Sequence, residues 1–114
     1  MEPARLLIAT TTFSQRADAT AMARRVIGEQ LAACAQVEGP LESHYRWKGE
    51  DCQETEWRLT IKTTAAAIEK LSQVVHQNHP YEQPQWVVVE VRSTSEGYAA
   101  WVRASIPPAA SPQA

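Results

Sequence analysis

Glu54 to Lys62, read as Glu-Thr-Glu-Trp-Arg-Leu-Thr-Ile-Lys, alternate between polar and apolar without a break from Glu56 onward. Successive side chains of a strand point to opposite faces. Trp57, Leu59 and Ile61 therefore share one face, and Glu56, Arg58, Thr60 and Lys62 share the other. A helix would scatter both sets around its axis. The segment predicts a strand with one buried face, and the rest of the chain must supply the layer that covers it.

Two stretches have the period of such a layer. Ala19, Met22, Ala23, Val26 and Ile27 recur at helical spacing, with Arg16, Arg24, Arg25 and Glu29 elsewhere on the wheel. Ser14 is the expected N-cap, and Gly28 falls inside the run. Ile68, Leu71 and Val75 repeat in the same way, with Thr63 and Thr64 as expected caps. Pro80 must stop this helix near Asn78, because the residue before a proline is pushed out of the helical region.

The other segments read as strands. Leu6 to Thr12 is a short β-prone run, and Ala32 to Trp47 is strand-like with a bend or bulge signal at Glu38-Gly39-Pro40. Lys48 to Asp51 reads as a hairpin turn. Trp86 to Val91, Trp-Val-Val-Val-Glu-Val, is the near-continuous apolar run expected of a strand covered on both faces. Tyr98, Trp101 and Val102 suggest a terminal helix, with Ser95 as a cap. Residues 1–105 form one domain in this reading, and the tail 106–114 has too little to bury and is expected to be disordered.

The order strand, helix, strand, strand, helix, strand points to a ferredoxin-like α+β sandwich, βαββαβ, with an extra C-terminal helix. Four antiparallel strands would carry two helices on one face. The second face then needs a cover, and oligomerisation is the economical one. The four tryptophans suit an interface.

Composition removes several function classes. The net charge is −2 and the 11 Lys and Arg are scattered, so no basic patch for nucleic acid is expected. The apolar run Leu6 to Ala9 is too short for a membrane span or a signal-peptide core, which predicts a cytoplasmic protein with no membrane partner. Cys34 and Cys52 form no CxxC pair and are expected to be free thiols. Four isolated glycines exclude a phosphate loop, and neither GxSxG nor HExxH occurs.

Few residues are left to carry chemistry. Cys34 follows an apolar Leu-Ala-Ala and reads as a buried thiol or a nucleophile without a local base. Cys52 sits among Glu50, Asp51 and Glu54, surroundings that do not activate a thiol. His76 and His79, three apart at a helix end, suit the helix dipole or a metal ion, with Glu82 as the nearest third donor. Lys62-Thr63-Thr64 at a strand-to-helix junction fits either an anion site or ordinary capping.

Glu29-Gln-Leu-Ala-Ala-Cys-Ala-Gln-Val37, Ser43-His-Tyr-Arg-Trp-Lys-Gly49, Ile61-Lys-Thr-Thr64, His79-Pro-Tyr-Glu-Gln-Pro84 and Gly97-Tyr-Ala-Ala-Trp-Val102 occur in that order. Together they resemble the CutA divalent-cation tolerance family over about Leu6 to Ser105. The resemblance implies a ferredoxin-like fold assembled as a homotrimer through strand pairing between subunits. It also implies a cytoplasmic, PII-like trimer linked to tolerance of copper and other divalent ions, with no established reaction.

By position, the resemblance carries over Lys62, Thr63, Thr64, His79, Pro80 and Tyr81, the hairpin Tyr45 to Gly49 with Trp47, and Glu56. With Cys34 these are the candidates for an inter-subunit ligand cleft. Copper-binding members place a cysteine, a histidine and a glutamate where this chain has Thr11, Asn78 and Gln85, a hydroxyl and two amides that suit a soft ion poorly. Lys48 stands where the family has an acid, and Glu38-Gly39-Pro40 where it has Ile-Pro-Gly.

The expectation is therefore a non-enzymatic, homotrimeric binding or sensing module with a small ligand or a divalent metal ion as the candidate cofactor. Its ligand candidates are Cys34, Trp47, Glu56, Lys62, Thr63, His79 and Tyr81, and its metal candidates are His76, His79 and Glu82. The alternatives are an enzyme with an inter-subunit acid–base site built from Lys62, Glu56, His79 and Tyr81, and a PII-like small-molecule signalling protein.

Overall fold

A computed structural model describes residues 3–108. The elements follow in the expected order: β1 (Leu6–Phe13), α1 (Arg16–Gly28), β2 (Cys34–Trp47), β3 (Glu50–Thr64), α2 (Ile68–Asn78), β4 (Val87–Glu90) and α3 (Glu96–Ser105). The strands form one antiparallel sheet in the order β2-β3-β1-β4. No helix among the described residues is long and apolar enough to cross a membrane.

Register divides the sheet into two faces. Ala9 lies opposite Ile61, Val37 opposite Leu59, and Phe13 opposite Trp57. This is the face on which the helices lie: Ala9, Phe13, Leu59 and Ile61 pack with Ala19, Met22 and Val26 of α1 and Leu71, Val74 and Val75 of α2. The second face carries Ile8, Cys34, Lys62 and Val89 in one row and Thr10, Gln36, Thr60 and Val87 in the next. A smaller cluster of Leu6, Ala67, Ala99, Val102 and Ile106 docks α3 at one end of the sheet. Ile106, the first residue of the expected tail, is thus part of the packed domain, and residues 109–114 lie outside the described ones.

Three local expectations need correction. Ser14 does not cap α1: the N-cap is Gln15, which makes no side-chain cap bond. Phe13 remains in β1 to fill the core, so the helix begins one residue later than a Ser14 cap requires. Nor do Thr63 and Thr64 cap α2. Both stay in β3, opposite Leu7 and Leu6, the Thr63 hydroxyl donates to the Leu31 carbonyl at 2.8 Å, and the helix starts at Ile68. This removes the expected strand-to-helix junction, since α2 begins only at Ile68, beyond the end of β3 that carries Lys62. Third, β4 is not covered on both faces within the chain. It is an edge strand, and Val87, Val88 and Val89 are 47%, 37% and 50% exposed.

Other expectations are met. The bulge lies between Glu38 and Leu41, and the Ser95 hydroxyl caps α3 by accepting from the Tyr98 N–H at 3.4 Å. The hairpin reverses within the expected turn but at Lys48-Gly49 alone, with Glu50 and Asp51 already paired in β3. β3 and β2 both outrun β1, whose pairing ends at Phe13 opposite Trp57. Leu41–Trp47 and Glu50–Glu56 therefore form a two-stranded arm that no third strand supports.

Candidate functional site

The abrupt end of α2 builds the site. His79, before Pro80, takes extended backbone angles (φ −86°, ψ 135°) and turns its ring off the helix toward the end of β1. The imidazole stacks on Phe13 with centroids 4.3 Å apart and planes 11° apart. Nδ1 accepts the Tyr81 backbone N–H at 3.1 Å, so the proton of the neutral ring sits on Nε2. Nε2 donates to the Thr12 carbonyl at 2.9 Å and lies 3.0 Å from the Thr11 hydroxyl.

Tyr81 continues the cluster. Its ring lies 5.0 Å from that of His79, and its hydroxyl donates to Glu56 Oε2 at 2.7 Å. Glu56 is only 9% exposed, at the base of the arm. Burial, followed by the bond to Glu56, pushes the Tyr81 phenol well above its usual range. Burial pushes His79 below the usual histidine value of 6.5, aided by the charge of His76 and opposed by the Thr12 bond, Asp18 and Glu56.

The remaining candidates lie elsewhere. Lys62 and Cys34 are cross-strand partners on the second face. The Lys62 ammonium donates to Gln36 Oε1 at 2.9 Å and lies 5.8 Å from the Tyr98 ring centroid. Six residues of strand separate Lys62 from Glu56, about 20 Å at the usual rise per residue, so one chain does not bring the expected acid–base set together. Trp47 is exposed at the arm tip beneath the Lys48 ammonium, and Thr63 is buried and engaged with Leu31.

The metal candidates do not gather either. His76 is bound at Nδ1 to the Ser72 carbonyl at 2.8 Å and meets Trp86 edge-on, while both His79 nitrogens are engaged within the fold. Glu82 is exposed in the loop after Pro80. Asn78 accepts from Arg25 at 3.1 Å and donates to the Val74 carbonyl at 2.8 Å. Among the described residues no three His, Cys, Asp or Glu side chains are placed to hold an ion. Among these residues of one chain a divalent cation therefore finds no ready donor set.

Sequence reasoning missed Thr11, Thr12 and Phe13 as partners of His79, and Gln36 and Tyr98 as partners of Lys62. Contacts 67 and 68 residues apart leave no local pattern. Only the pairing of strands creates them.

Residues 7–105 match the family model described as CutA1 divalent ion tolerance protein. The divalent-cation tolerance protein CutA of Yersinia pestis is 33% identical over 100 residues, covering 88% of this chain and 84% of that protein. The Cut A1 divalent cation tolerance protein of Thermus thermophilus superposes with a TM-score of 0.86 at 31% identity, covering 90% of this chain and 99% of the other. CutA from Synechococcus elongatus PCC7942, in complex with a Bis-Tris molecule, gives 0.83 at 33% identity over 93% and 98% of the two chains.

Proposed function

Because the chain belongs to the CutA1 divalent ion tolerance family, we propose that it works as a homotrimeric binding or sensing module in the response to divalent cations, and not as an enzyme. The observation that carries this reading is the unfinished sheet. The valines of β4 lie exposed on an edge, the arm has only two strands, and Trp47 and Trp101 are 45% and 48% exposed. An isolated two-stranded hairpin is marginal in water, and an open apolar edge invites pairing. A second and third copy would complete both.

Assembly would also complete the ligand site. Cys34 and Lys62 lie on the second sheet face, and Glu56, His79 and Tyr81 at the arm base. A neighbouring subunit is what would close a cleft over either group. A small polar molecule is the ligand class this favours, in line with the Bis-Tris held by the Synechococcus relative. Binding is favoured over catalysis because the His79 lone pair is taken by Tyr81 N–H and Lys62 stands far from Glu56. The free thiols Cys34 and Cys52 suit the reducing cytoplasm.

Native mass spectrometry of protein purified without added metal tests this directly. The expected spectrum is a three-chain mass, with any retained small molecule or ion as added mass. A single-chain mass at micromolar concentration overturns the proposal.

A further inference from the structure

The segment from Pro80 to Trp86 is held in an unusual way. Outside the helix and strand ladders, no backbone–backbone hydrogen bond among the described residues involves it. Its attachments are side-chain ones. Tyr81 N–H rests on His79 Nδ1, Tyr81 OH rests on Glu56, and Trp86 meets His76. The His79 ring is fixed in turn by Phe13 and the Thr12 carbonyl. One imidazole thus joins the end of β1, the end of α2 and the lead into β4, and Tyr81 extends the link to the arm base.

We propose that His79 is an acid-operated latch: a proton added at Nδ1 removes the acceptor for Tyr81 N–H, frees the segment 80–86, and loosens the Tyr81–Glu56 tie at the base of the arm. The chemistry is a single proton uptake from solvent. The neutral ring carries its proton on Nε2, where Thr12 accepts it, so the incoming proton has only Nδ1 to occupy. Two N–H groups then face each other at 3.1 Å, and one must move.

The charged groups facing the ring pull in both directions. Asp18 of α1 and Glu56 of β3 favour the imidazolium, His76 of α2 opposes it, and β1 contributes the neutral Thr11, Thr12 and Phe13. Burial outweighs the carboxylates and keeps the ring neutral in the closed state. The latch is therefore shut at neutral pH and opens on acidification, below the ordinary histidine range.

Two variants separate the latch from a merely structural histidine. His79→Asn places a non-titrating acceptor where Nδ1 sits, within reach of the N–H two residues on, as in an Asx turn. His79→Gln keeps a donor near Nε2 and offers nothing at Nδ1. The measurement is exchange of the Tyr81 amide in the full chain, followed by NMR against pH beside the titration of the His79 ring, with β3 amides as the control for global unfolding.

In the parent chain, Tyr81 protection is expected to fall at least tenfold in one step coincident with His79 protonation, while β3 amides stay protected. His79→Asn should hold its protection through that step, and His79→Gln should lack it already at neutral pH. Protection that survives the charging of His79 overturns the latch, and so does release of His79→Asn at the same pH or full protection of His79→Gln at neutral pH. Should a variant not fold, the coincidence or divergence of the two curves in the parent chain decides alone.

Discussion

At the scale of single residues, the energetics concentrate where a polar group has lost water. Glu56 is nearly buried, and the Tyr81 hydroxyl donates to it at 2.7 Å. Tyr81→Phe leaves that carboxylate without its partner, and urea unfolding should show a loss of about 1–3 kcal/mol. Gly39 is constrained by space: a Cβ there would stand 2.6 Å from Cδ1 and 2.9 Å from Cγ of Trp57. Both atoms belong to a rigid indole, so Gly39→Ala must displace the ring from the core edge, at a cost of about 1–3 kcal/mol in the same assay. His79 adds a dependence on pH. Its folded-state affinity for a proton is lowered, so its contribution is whole above 6.5 and is lost as pH falls through the folded value. The unfolding free energy of the parent chain should therefore decline on acidification more steeply than that of His79→Asn. Equal slopes would show that folding leaves the proton affinity of the ring unchanged.

At the scale of elements, the β2–β3 hairpin most needs explanation, because half of it has no neighbouring strand among the described residues. Its turn places Lys48 at φ +50° and Gly49 at φ +80°, both left-handed, which matches the twist of the flanking strands. A Cβ on Gly49 meets nothing within 4 Å, so Gly49→Ala tests conformation alone. A cost of about 1–2 kcal/mol is expected, read as faster amide exchange at the arm tip, where Trp47 pairs with Glu50. No change there would mean the tip is already open. The helices were legible from period and from Pro80, but their starts were not. Ser14, Thr63 and Thr64 have the right chemistry for caps, yet the sheet keeps Phe13, Thr63 and Thr64 for its own pairing. Capping preference contributes about 1 kcal/mol, less than the core packing of Phe13 and the ladder bonds to which those residues are committed.

At the scale of the whole molecule, the proposed assembly makes a clear demand on β4. A lysine at Val89, on the second face and 50% exposed, scarcely disturbs a single chain but would place a charge in a closed interface. Val89→Lys should shift the native mass spectrum toward the single-chain mass while circular dichroism stays unchanged. A three-chain mass kept by the variant would remove β4 from the interface. Sequence by itself determined the element order, the alternation of β3, the helix stop at Pro80 and the turn at Lys48-Gly49, because each depends on neighbours a few residues away and on backbone sterics. It also carried the family motifs. Only the tertiary structure decided that β4 is an edge left open, that Lys62 and Glu56 stand apart along one strand, and that His79 is held by Thr12 and Phe13. Those facts come from which strands lie side by side, and pairing between residues 67 apart is set by burying one shared core, which no local pattern records.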